Sequence, residues 1–388
     1  SEEFLKNFND VLNFIKSKNQ NIKIRAKNQD FNSINISEVI SDSREVVPGT
    51  LFACIKGENS DGHKFAKKAE EKGAVALLCE REIEDFNLPQ IIVERVRDFL
   101  GEVSAFVYDN PCEKLLMVGV TGTNGKTTTT YIIRSILQAA GIRTGLLGTI
   151  IESDGINDKE ADRTTPESCE IQKQLAAMVK NKCGACVMET SSHGLFLGRI
   201  NGTLYDVVIF TNLYPEHLDF HVNMENYFAA KKLLFEKYAK KIFTGAVNSD
   251  DEYGRRLLKE FPGLKGFGIN DAVNIKTGID GTELEFENLK IKSPLVGGFN
   301  VMNTLCAVTA MKGKVPDEAI IKGVANVPQV PGRLERIDLA NGACVFIDFA
   351  HTPSALRSVL KTIKNLSGNK GKIISLFGHG GGRYQRNR

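Results

Sequence analysis

Apolar runs alternate with amphipathic stretches through the middle of this chain. The runs are short and largely apolar, as in strands buried on both faces of a sheet, and they occupy residues 115–120, 184–188, 206–210 and 242–247. A helical stretch over residues 131–140 follows the first run and should end at Gly141. We therefore predict an α/β fold whose central domain is a doubly wound, mostly parallel sheet.

The pattern changes on both sides of this central region. Towards the N-terminus, strand-like runs at 50–55 and 74–78 flank a helix that begins at 64 and stops at Gly73, as in a small α/β domain. Residues 270–292 indicate a short strand pair. Near the C-terminus, a strand, a helix and a strand are predicted in turn at residues 343–347, 354–366 and 372–377.

Three domains account for this organisation. Their predicted extents are 1–112, 113–331 and 332–388. A single βαβ unit is too small to bury both faces of its own sheet, so we expect the last domain, of Rossmann-like type, to be incomplete and the chain to be a fragment.

Composition excludes several classes of function. The formal net charge is only +3, which predicts no broad basic face for nucleic acid or membrane. No apolar run approaches the ~18–20 residues that span a bilayer, and the first residues do not resemble a secretory leader, so we expect a cytoplasmic protein. The eight cysteines lie singly in apolar surroundings, as reduced buried thiols do. Cys183 and Cys186 form one C-x-x-C but lack the second pair of a zinc site.

A glycine-rich loop lies between the first apolar run and its helix. It reads T-G-T-N-G-K-T over residues 121–127, and backbone amides of such a loop cradle phosphate oxygens. Lys126 would reach the β- and γ-phosphates, and the Thr127 hydroxyl would bind Mg²⁺. Val120 departs from the strict motif, which has glycine there. The predicted ATP ligands are Gly122, Thr123, Asn124, Gly125, Lys126, Thr127 and Thr128.

A phosphate loop alone does not decide the reaction. A GTPase switch would require N-K-x-D, and residues 181–184 fail that pattern. An ATPase needs an acidic residue at the end of a later strand, where α/β sites lie, and Glu189 fits as a Mg²⁺ partner. The alternative for Glu189 is a surface carboxylate.

Further segments, in one order along the chain, extend this pattern. They read D-S-R at 42–44, T-T-P at 164–166, M-E-T-S-S-H-G-L at 188–195, T-N-L at 211–213, E-H-L-D at 216–219, Y-F-A-A-K at 227–231, G-F-N-V-M-N at 298–303, G-R-L-E at 332–335 and D-F-A-H-T-P at 348–353. With the loop, they resemble the Mur ligase family, most closely its MurE branch. Glu216 departs mildly from the family's usual Asp.

The resemblance implies an ATP-dependent ligase of peptidoglycan synthesis. A carboxylate does not accept an amine directly because oxide is a poor leaving group, and ATP solves this by forming an acyl phosphate. The MurE branch adds a diamino acid to the D-Glu carboxylate of UDP-MurNAc-L-Ala-D-Glu. meso-Diaminopimelate is the commonest choice, while L-lysine and lanthionine-like acids stay open. A monomer is the habit of the family.

The resemblance also assigns catalytic and metal-binding roles to Lys126, Glu189, His217 and Lys231. Thr127 and Glu189 would hold one Mg²⁺ on the ATP phosphates. His217 would hold a second, shared with a carbamate on Lys231, since carbamylation turns an ammonium into an oxygen donor. The alternatives are a solvated helix lysine for Lys231 and a core histidine for His217. We expect His221 to be structural.

Substrate contacts follow from the same resemblance. Residues expected to touch the uridine diphosphate are Ser43, Asn59 and Ser60, the last two on spacing alone. Residues expected to hold the muramoyl peptide are Thr164, Thr165, Ser191 and Arg199, whose guanidinium suits a carboxylate or phosphate. Residues expected on the ATP side are Asn300, Asn303, Arg333, Asp348 and His351.

Two other readings stay open. One is a MurF-type or folylpolyglutamate-type ligase on the same core. The D-S-R segment disfavours the folyl enzymes, and T-T-P with S-S-H favours MurE over MurF. The other is a nucleotide-binding regulatory module without ligase chemistry. From the incomplete third domain we expect residues 1–388 to bind the UDP-substrate but to ligate it poorly.

Overall fold

The computed structural model describes residues 5–19, 21–26, 30–57, 60–351, 353–368 and 371–378. They divide into two compact units, each made of three separate chain segments. The first unit comprises Ser1–Gly119, Thr144–Val208 and His217–Phe243, and the second comprises Val120–Arg143, Ile209–Glu216 and Thr244–Arg388. The predicted boundaries near residues 112 and 331 stay a prediction. Across the described ranges, every helix is too short or too polar to cross a membrane.

The N-terminal region is an α/β layer, as predicted. Its elements are β1 Lys6–Asn7, α1 Phe8–Lys18, β2 Lys23–Arg25, β3 Asn35–Ile36, β4 Glu38–Ile40, β5 Thr50–Ala53, α2 Ala66–Glu71, β6 Ala74–Cys79, β7 Gln90–Ile92 and α3 Val96–Val107. Five strands form a sheet in the order β2-β7-β6-β5-β4, parallel except for β2. The apolar faces of α1 and α3 pack into one core with β5 and β6.

The central region contains the predicted mixed, mostly parallel sheet. Its elements are β8 Leu116–Thr121, α4 Lys126–Ala139, β9 Thr144–Leu147, β10 Ile151–Ser153, β11 Asp158–Glu160, α5 Ser168–Lys180, β12 Ala185–Glu189, α6 Ser192–Phe196, β13 Tyr205–Phe210, α7 Leu218–His221, α8 Met224–Glu236, β14 Ala239–Asn248, α9 Glu252–Glu260 and β15 Leu264–Phe267. Eight strands are ordered β11-β10-β9-β12-β8-β13-β14-β15. All four apolar runs form strands, and the ladders of this sheet pair their backbone while the apolar side chains are buried.

The remaining elements depart from two predictions. They are β16 Val273–Gly278, β17 Gly281–Phe286, β18 Leu289–Ser293, α10 Gly298–Met311, α11 Asp317–Ala325, β19 Glu335–Asp338, β20 Cys344–Ile347 and α12 Pro353–Leu366. The predicted strand pair at 270–292 is wrong, because three antiparallel strands form there. Glu287 and Asn288, with φ of 52° and 62°, make the extra reversal, since two successive positive φ values build a tight hairpin turn.

The predicted strand at 372–377 is also wrong, and with it the expected βαβ unit. β20 pairs antiparallel with β19, which precedes it, and residues 372–378 join no ladder within the described ranges. An apolar run becomes a strand only where a neighbouring strand pairs with its backbone. Ile374 and Leu376 are largely exposed instead. The predicted helix over 354–366 is confirmed as α12.

The cysteines behave as the sequence predicts. All eight are free thiols, seven of them buried, and Cys344 is partly exposed. Burial raises the pKa of Cys79 and of Cys169 to about 12, so both stay protonated at neutral pH. These thiols act as small core side chains.

A glycine in the middle of α3 gives a stability prediction. A Cβ on Gly101 would lie 1.8 Å from the backbone oxygen of Asn201, so the helix approaches that turn without room for a methyl group. We expect Gly101→Ala to lower the free energy of unfolding by about 1–3 kcal/mol or more, as overpacking does. Gly278→Ala is the matched control, because a Cβ there meets nothing within 4 Å. Equal denaturation midpoints for the two variants would contradict this close approach.

Candidate active site

The phosphate loop of the second unit has a backbone that only glycine fits at two positions. Gly122 has φ +147°, and a Cβ on it would lie 1.8 Å from Oγ1 of Thr211. Gly125, at the N-terminus of α4, has φ +85°, and its Cβ would lie 2.3 Å from Oδ1 of Asn303. Both positive φ and close neighbours exclude side chains here. The loop backbone stays open for a ligand at the helix N-terminus.

A neighbouring segment, residues 211–214, fixes the loop by hydrogen bonds. The backbone N–H of Thr123 donates to the Asn212 carbonyl and that of Asn124 to Asn212 Oδ1, both at 2.9 Å. The Thr211 hydroxyl donates to the Asn124 carbonyl at 2.6 Å, and the Tyr214 N–H donates to Thr123 Oγ1 at 3.0 Å. The T-N-L segment therefore holds the phosphate loop in shape before any ligand arrives.

The two side chains expected to meet phosphate lie at the start of α4. The Lys126 ammonium donates to the carbonyls of Gly122 and Thr123, both at 2.9 Å, which places a positive charge over the loop. Thr127 is buried, and Arg333 reaches its hydroxyl at a long 3.5 Å. Thr128 is buried as well. Lysine charge, loop amides and helix dipole together favour an anion at this position.

Two of the predicted ATP-side residues lie next to the loop on α10. Asn303, whose Oδ1 faces Gly125, donates from Nδ2 to Asn300 Oδ1 at 2.9 Å, and Asn300 donates to the Val296 carbonyl at 2.8 Å. A cavity of about 220 Å³ is lined by Asn300 and Arg333 with apolar side chains, including Pro294, Leu295, Val330 and Leu334. Asp280, Gln329, Glu335, Arg336 and Asp338 also line it, so its walls are mixed polar and apolar.

The last two predicted ATP-side residues have other contacts. Asp348 accepts hydrogen bonds from the backbone of Leu334 at 2.7 Å and of Ala350 at 2.8 Å, so it shapes the turn that carries Arg333. His351 is exposed, and its Nδ1 lies 2.9 Å from the Phe349 carbonyl. Neither is placed in the cavity lining.

In the first unit, Glu189 ends β12 as a buried carboxylate with fixed oxygens. The Thr149 N–H donates to Oε1 at 2.8 Å and the Thr149 hydroxyl to Oε2 at 3.0 Å. A Cβ on Gly148 would come within 2.6 Å of Oε1, so glycine makes room for the carboxylate. The surface-carboxylate alternative is wrong, because Glu189 is 1% exposed.

The predicted muramoyl-peptide residues cluster around Glu189. Thr149 and Thr164 join their hydroxyls at 3.1 Å. The Thr165 hydroxyl lies 3.1 Å from the Glu189 carbonyl and 3.0 Å from Ser191 Oγ, while Ser191 Oγ caps α6 by accepting from the Gly194 N–H. The T-T-P and S-S-H-G segments thus form one hydroxyl-rich network.

Arg199 belongs to an arginine cluster that the sequence did not indicate. The Glu167 carboxylate, 5% exposed, lies 2.8 Å from Arg97, 3.3 Å from Arg199 and 3.6 Å from Arg163. Burial and the neighbouring guanidiniums lower the pKa of Arg199, and Glu167 opposes this. Three cations around one anion leave excess positive charge for an anionic ligand. Only the position of Glu167 after T-T-P hinted at its role.

Lys231 lies fully buried on α8 beside an aromatic cluster. Its Nζ is 4.7 Å from the Tyr227 ring centroid, and only 1% of the residue is exposed. The ring of His193 lies 5.0 Å from that of His217 and 5.5 Å from that of His221, which stacks on Tyr227 at 5.1 Å. The solvated-lysine alternative is therefore wrong, as is the core-histidine alternative for His217, which is exposed.

The electrostatics of this cluster follow from burial. Desolvation, with the nearby His193 and Lys231, lowers the pKa of His221 to about 4, and desolvation also lowers the pKa of His193. Both imidazoles are neutral at pH 7. The described residues include no group of three or more His, Cys, Asp or Glu side chains that could hold a metal ion by themselves.

The residues predicted to contact uridine have few contacts that the structure describes. Ser43 is buried beside the Asp42–Arg44 ion pair, whose oxygen–nitrogen distance is 2.5 Å. Ser60 is exposed, and its carbonyl accepts from the Gly57 N–H at 2.8 Å. Asn59 lies outside the described residues.

Comparison with known proteins gives a consistent result. The profiles described as "Mur ligase family, catalytic domain", "Mur ligase middle domain" and "Mur ligase, glutamate ligase domain" match residues 35–108, 120–311 and 332–388. The UDP-N-acetylmuramoyl-L-alanyl-D-glutamate--2,6-diaminopimelate ligase of Clostridium botulinum is 40% identical over 370 residues, which are 91% of this chain and 75% of that protein.

Solved structures agree on the fold. One of a UDP-N-acetylmuramoyl-L-alanyl-D-glutamate--2,6-diaminopimelate ligase matches with a TM-score of 0.71 and 25% identity, covering 92% of this chain and 74% of that one. The MurF ligase of Thermotoga maritima in complex with ADP matches with a TM-score of 0.64 and 22% identity over 84% of this chain and 74% of that one, which shows the fold alone.

The phosphate loop gives a prediction with a matched control. Gly125→Ala would force both a strained φ and a 2.3 Å contact with Asn303, so we expect at least about tenfold weaker ATP binding. Gly141→Ala, at the other end of α4, has a similar φ of +80° but meets nothing within 4 Å. It should cost about 1 kcal/mol of stability and leave ATP affinity unchanged. Calorimetric titration with ATP measures the affinity of both variants. Equal ATP affinities would contradict the assignment of residues 121–127 as the phosphate loop.

Proposed function

The chain belongs to the Mur ligase family, and we propose that it joins meso-diaminopimelate to UDP-N-acetylmuramoyl-L-alanyl-D-glutamate in an ATP-dependent, amide-forming step of peptidoglycan synthesis. The observation that carries this proposal is the 40% identity, over 91% of the chain, to a protein of that name. The chain spans about three quarters of the length of that relative. A cytoplasmic location and a monomeric state stay predictions.

The chemistry requires stabilisation of two anions. The D-Glu carboxylate takes a phosphoryl group from ATP, and the amine then displaces phosphate from the acyl carbon. Phosphoryl transfer depends mainly on positioning and electrostatics. We assign Lys126 and the loop amides of residues 122–128 to the triphosphate. Asn300, Asn303 and Arg333 border the cavity or the loop and would contact the nucleoside. Asp348 would act through the Arg333 turn, and His351 stays a proposed contact on the ATP side.

Magnesium fits the donors that are present. Thr127 offers a hydroxyl and Glu189 a carboxylate whose two oxygens are already oriented. Mg²⁺ is usually held by one or two carboxylates together with phosphates and water, rather than by an all-protein cage. When bound, Mg²⁺ would neutralise charge that develops on the phosphates.

Lys231 is the residue whose role depends on modification. A buried lysine beside Tyr227 is costly as an ammonium and cannot ligate Mg²⁺. A carbamate would convert it to an oxygen donor, and His217 would be a further ligand on the same ion. We therefore assign Lys231 as carbamylated and His217 as a metal ligand.

The hydroxyl network and the arginine cluster would hold the acceptor. Thr164, Thr165 and Ser191 present hydroxyls for the peptide, and Arg199 presents an incompletely neutralised guanidinium for its carboxylates. Ser43, Ser60 and Asn59 remain the proposed uridine contacts. The acceptor is thus an anionic nucleotide-peptide.

Acceptor choice separates this ligase from its relatives. We expect phosphate release from ATP, with diaminopimelate present, to be stimulated by UDP-MurNAc-dipeptide more than by the corresponding tripeptide or by folates, because that dipeptide is the acceptor named for the 40% identical relative. The test compares the ratio of phosphate release with each acceptor to release without one, so the outcome does not depend on the absolute rate. Stronger stimulation by tripeptide would favour a MurF-type reaction, and no stimulation by any acceptor would favour a regulatory module.

A second prediction concerns the loop lysine. Lys126→Met removes the charge over the loop, so we expect ATP affinity to fall by about tenfold or more, since a hydrogen bond to a charged group contributes about 1.5–3 kcal/mol. Lys114→Met, at an exposed lysine just before β8, is the control and should bind ATP normally. Calorimetry checks both. Unchanged affinity in Lys126→Met would remove Lys126 from the site.

A further inference from the structure

Nε2 of His221, in the first unit, is a buried polar atom without a hydrogen-bond partner among the described residues. His221 is 4% exposed, and its Nε2 makes no hydrogen bond to any part of the chain that the structure describes. Buried polar side-chain atoms are nearly always paired, because an unpaired one loses its hydrogen bond to water without replacement. The described chain leaves this nitrogen without the partner that a buried polar atom usually has.

The surroundings of His221 indicate where that group lies. Its ring stacks on Tyr227, with centroids 5.1 Å apart and planes 30° apart. The Lys231 ammonium lies 4.7 Å from the centroid of the same Tyr227 ring. Tyr227 and Lys231 are four residues apart on α8, so they share one helix face. His221 and Lys231 are thus both packed on one aromatic ring.

Neighbouring rings do not supply the missing partner. His193 lies 5.5 Å from His221, centroid to centroid, and Phe220 lies 4.8 Å away at a steep angle. Phe220 offers no conventional acceptor. An ammonium on Lys231 has no acceptor for an imidazole N–H, and neither it nor His193 makes a hydrogen bond with Nε2 in the described chain.

Resting on the proposed function, we propose that His221 is a positioning residue that donates from Nε2 to a carbamate oxygen on Lys231. The neutral amine of Lys231 attacks the carbon of CO₂, a C–N bond forms, and one C–O π pair moves onto oxygen. The nitrogen loses one proton to solvent, and no oxidant is required. The resulting carboxylate-like group has acceptors only, which matches the imidazole N–H. With one oxygen held by His221, the other would stay available as a metal ligand.

The test measures carbamate occupancy rather than catalysis. The protein is equilibrated with increasing ¹³C-bicarbonate, without nucleotide or added metal, and the carbamate resonance gives an apparent CO₂ affinity. Lys231→Arg defines the background. His221→Phe keeps a ring on Tyr227 and removes the N–H, while His221→Gln returns a side-chain N–H. Phe220→Leu is the packing control, since that ring also touches His221.

We expect a resonance in the wild type that is absent from Lys231→Arg. His221→Phe should bind CO₂ about tenfold to a hundredfold more weakly, the loss expected for one hydrogen bond to a charged group. His221→Gln should recover part of this loss, and Phe220→Leu should match the wild type. Circular dichroism and thermal unfolding check that each variant folds. If His221→Phe does not fold, the CO₂ affinity of His221→Leu is measured in its place, and the same loss is expected.

Other outcomes overturn the inference in distinguishable ways. Wild-type CO₂ affinity in His221→Phe refutes the positioning role and leaves the ligase proposal intact. An equal loss in Phe220→Leu, without recovery in His221→Gln, assigns the effect to packing. No resonance in the wild type refutes carbamylation of Lys231 and the role of His221 with it, while acceptor-dependent phosphate release still tests the ligase separately.

Discussion

A phosphate loop binds only if its backbone N–H groups already point at the ligand, and this constraint organises the second unit. Gly122 and Gly125 adopt positive φ with neighbours at distances that no Cβ could occupy. The segment from Thr211 to Tyr214 then fixes the loop through backbone and side-chain hydrogen bonds. Because the loop is prepared in advance, binding energy need not be spent on ordering it. Lys126 adds charge to a backbone that is already in place.

In the first unit, the corresponding constraint is that buried polar groups must be satisfied. Glu189 meets it through Thr149, and Thr165 and Ser191 meet it through each other and through α6. Three side chains of this unit meet it incompletely. Gln172 Oε1, Arg199 Nε and His221 Nε2 are buried without hydrogen bonds in the described chain, although Arg199 Nε lies 3.3 Å from the Glu167 carboxylate as an ion pair. Such atoms are where ligands and modifications are expected.

The arginine cluster shows how burial and charge combine at such a place. Glu167 is shared among Arg97, Arg163 and Arg199, so no arginine has a carboxylate to itself. Glu167 is the N-cap residue of α5, and its backbone N–H donates to Glu170 Oε2 at 3.1 Å, which fixes the backbone that carries this carboxylate. An anionic acceptor that approached Arg199 would find a guanidinium that is held in place but not fully neutralised.

The sequence by itself determined what depends on local order. It determined the four apolar runs that become strands, the loop at 121–127, and the ordered segments that identify the family. Tertiary structure decided which residues distant in the chain come into contact. It alone brought Arg97 to Glu167, buried Lys231 and left Nε2 of His221 without a hydrogen bond in the described chain. It also denied residues 372–377 a strand, because an extended run needs a neighbour that no local pattern can specify. Periodicity reports the faces a segment can bury, whereas contacts at long separation decide which side chains meet.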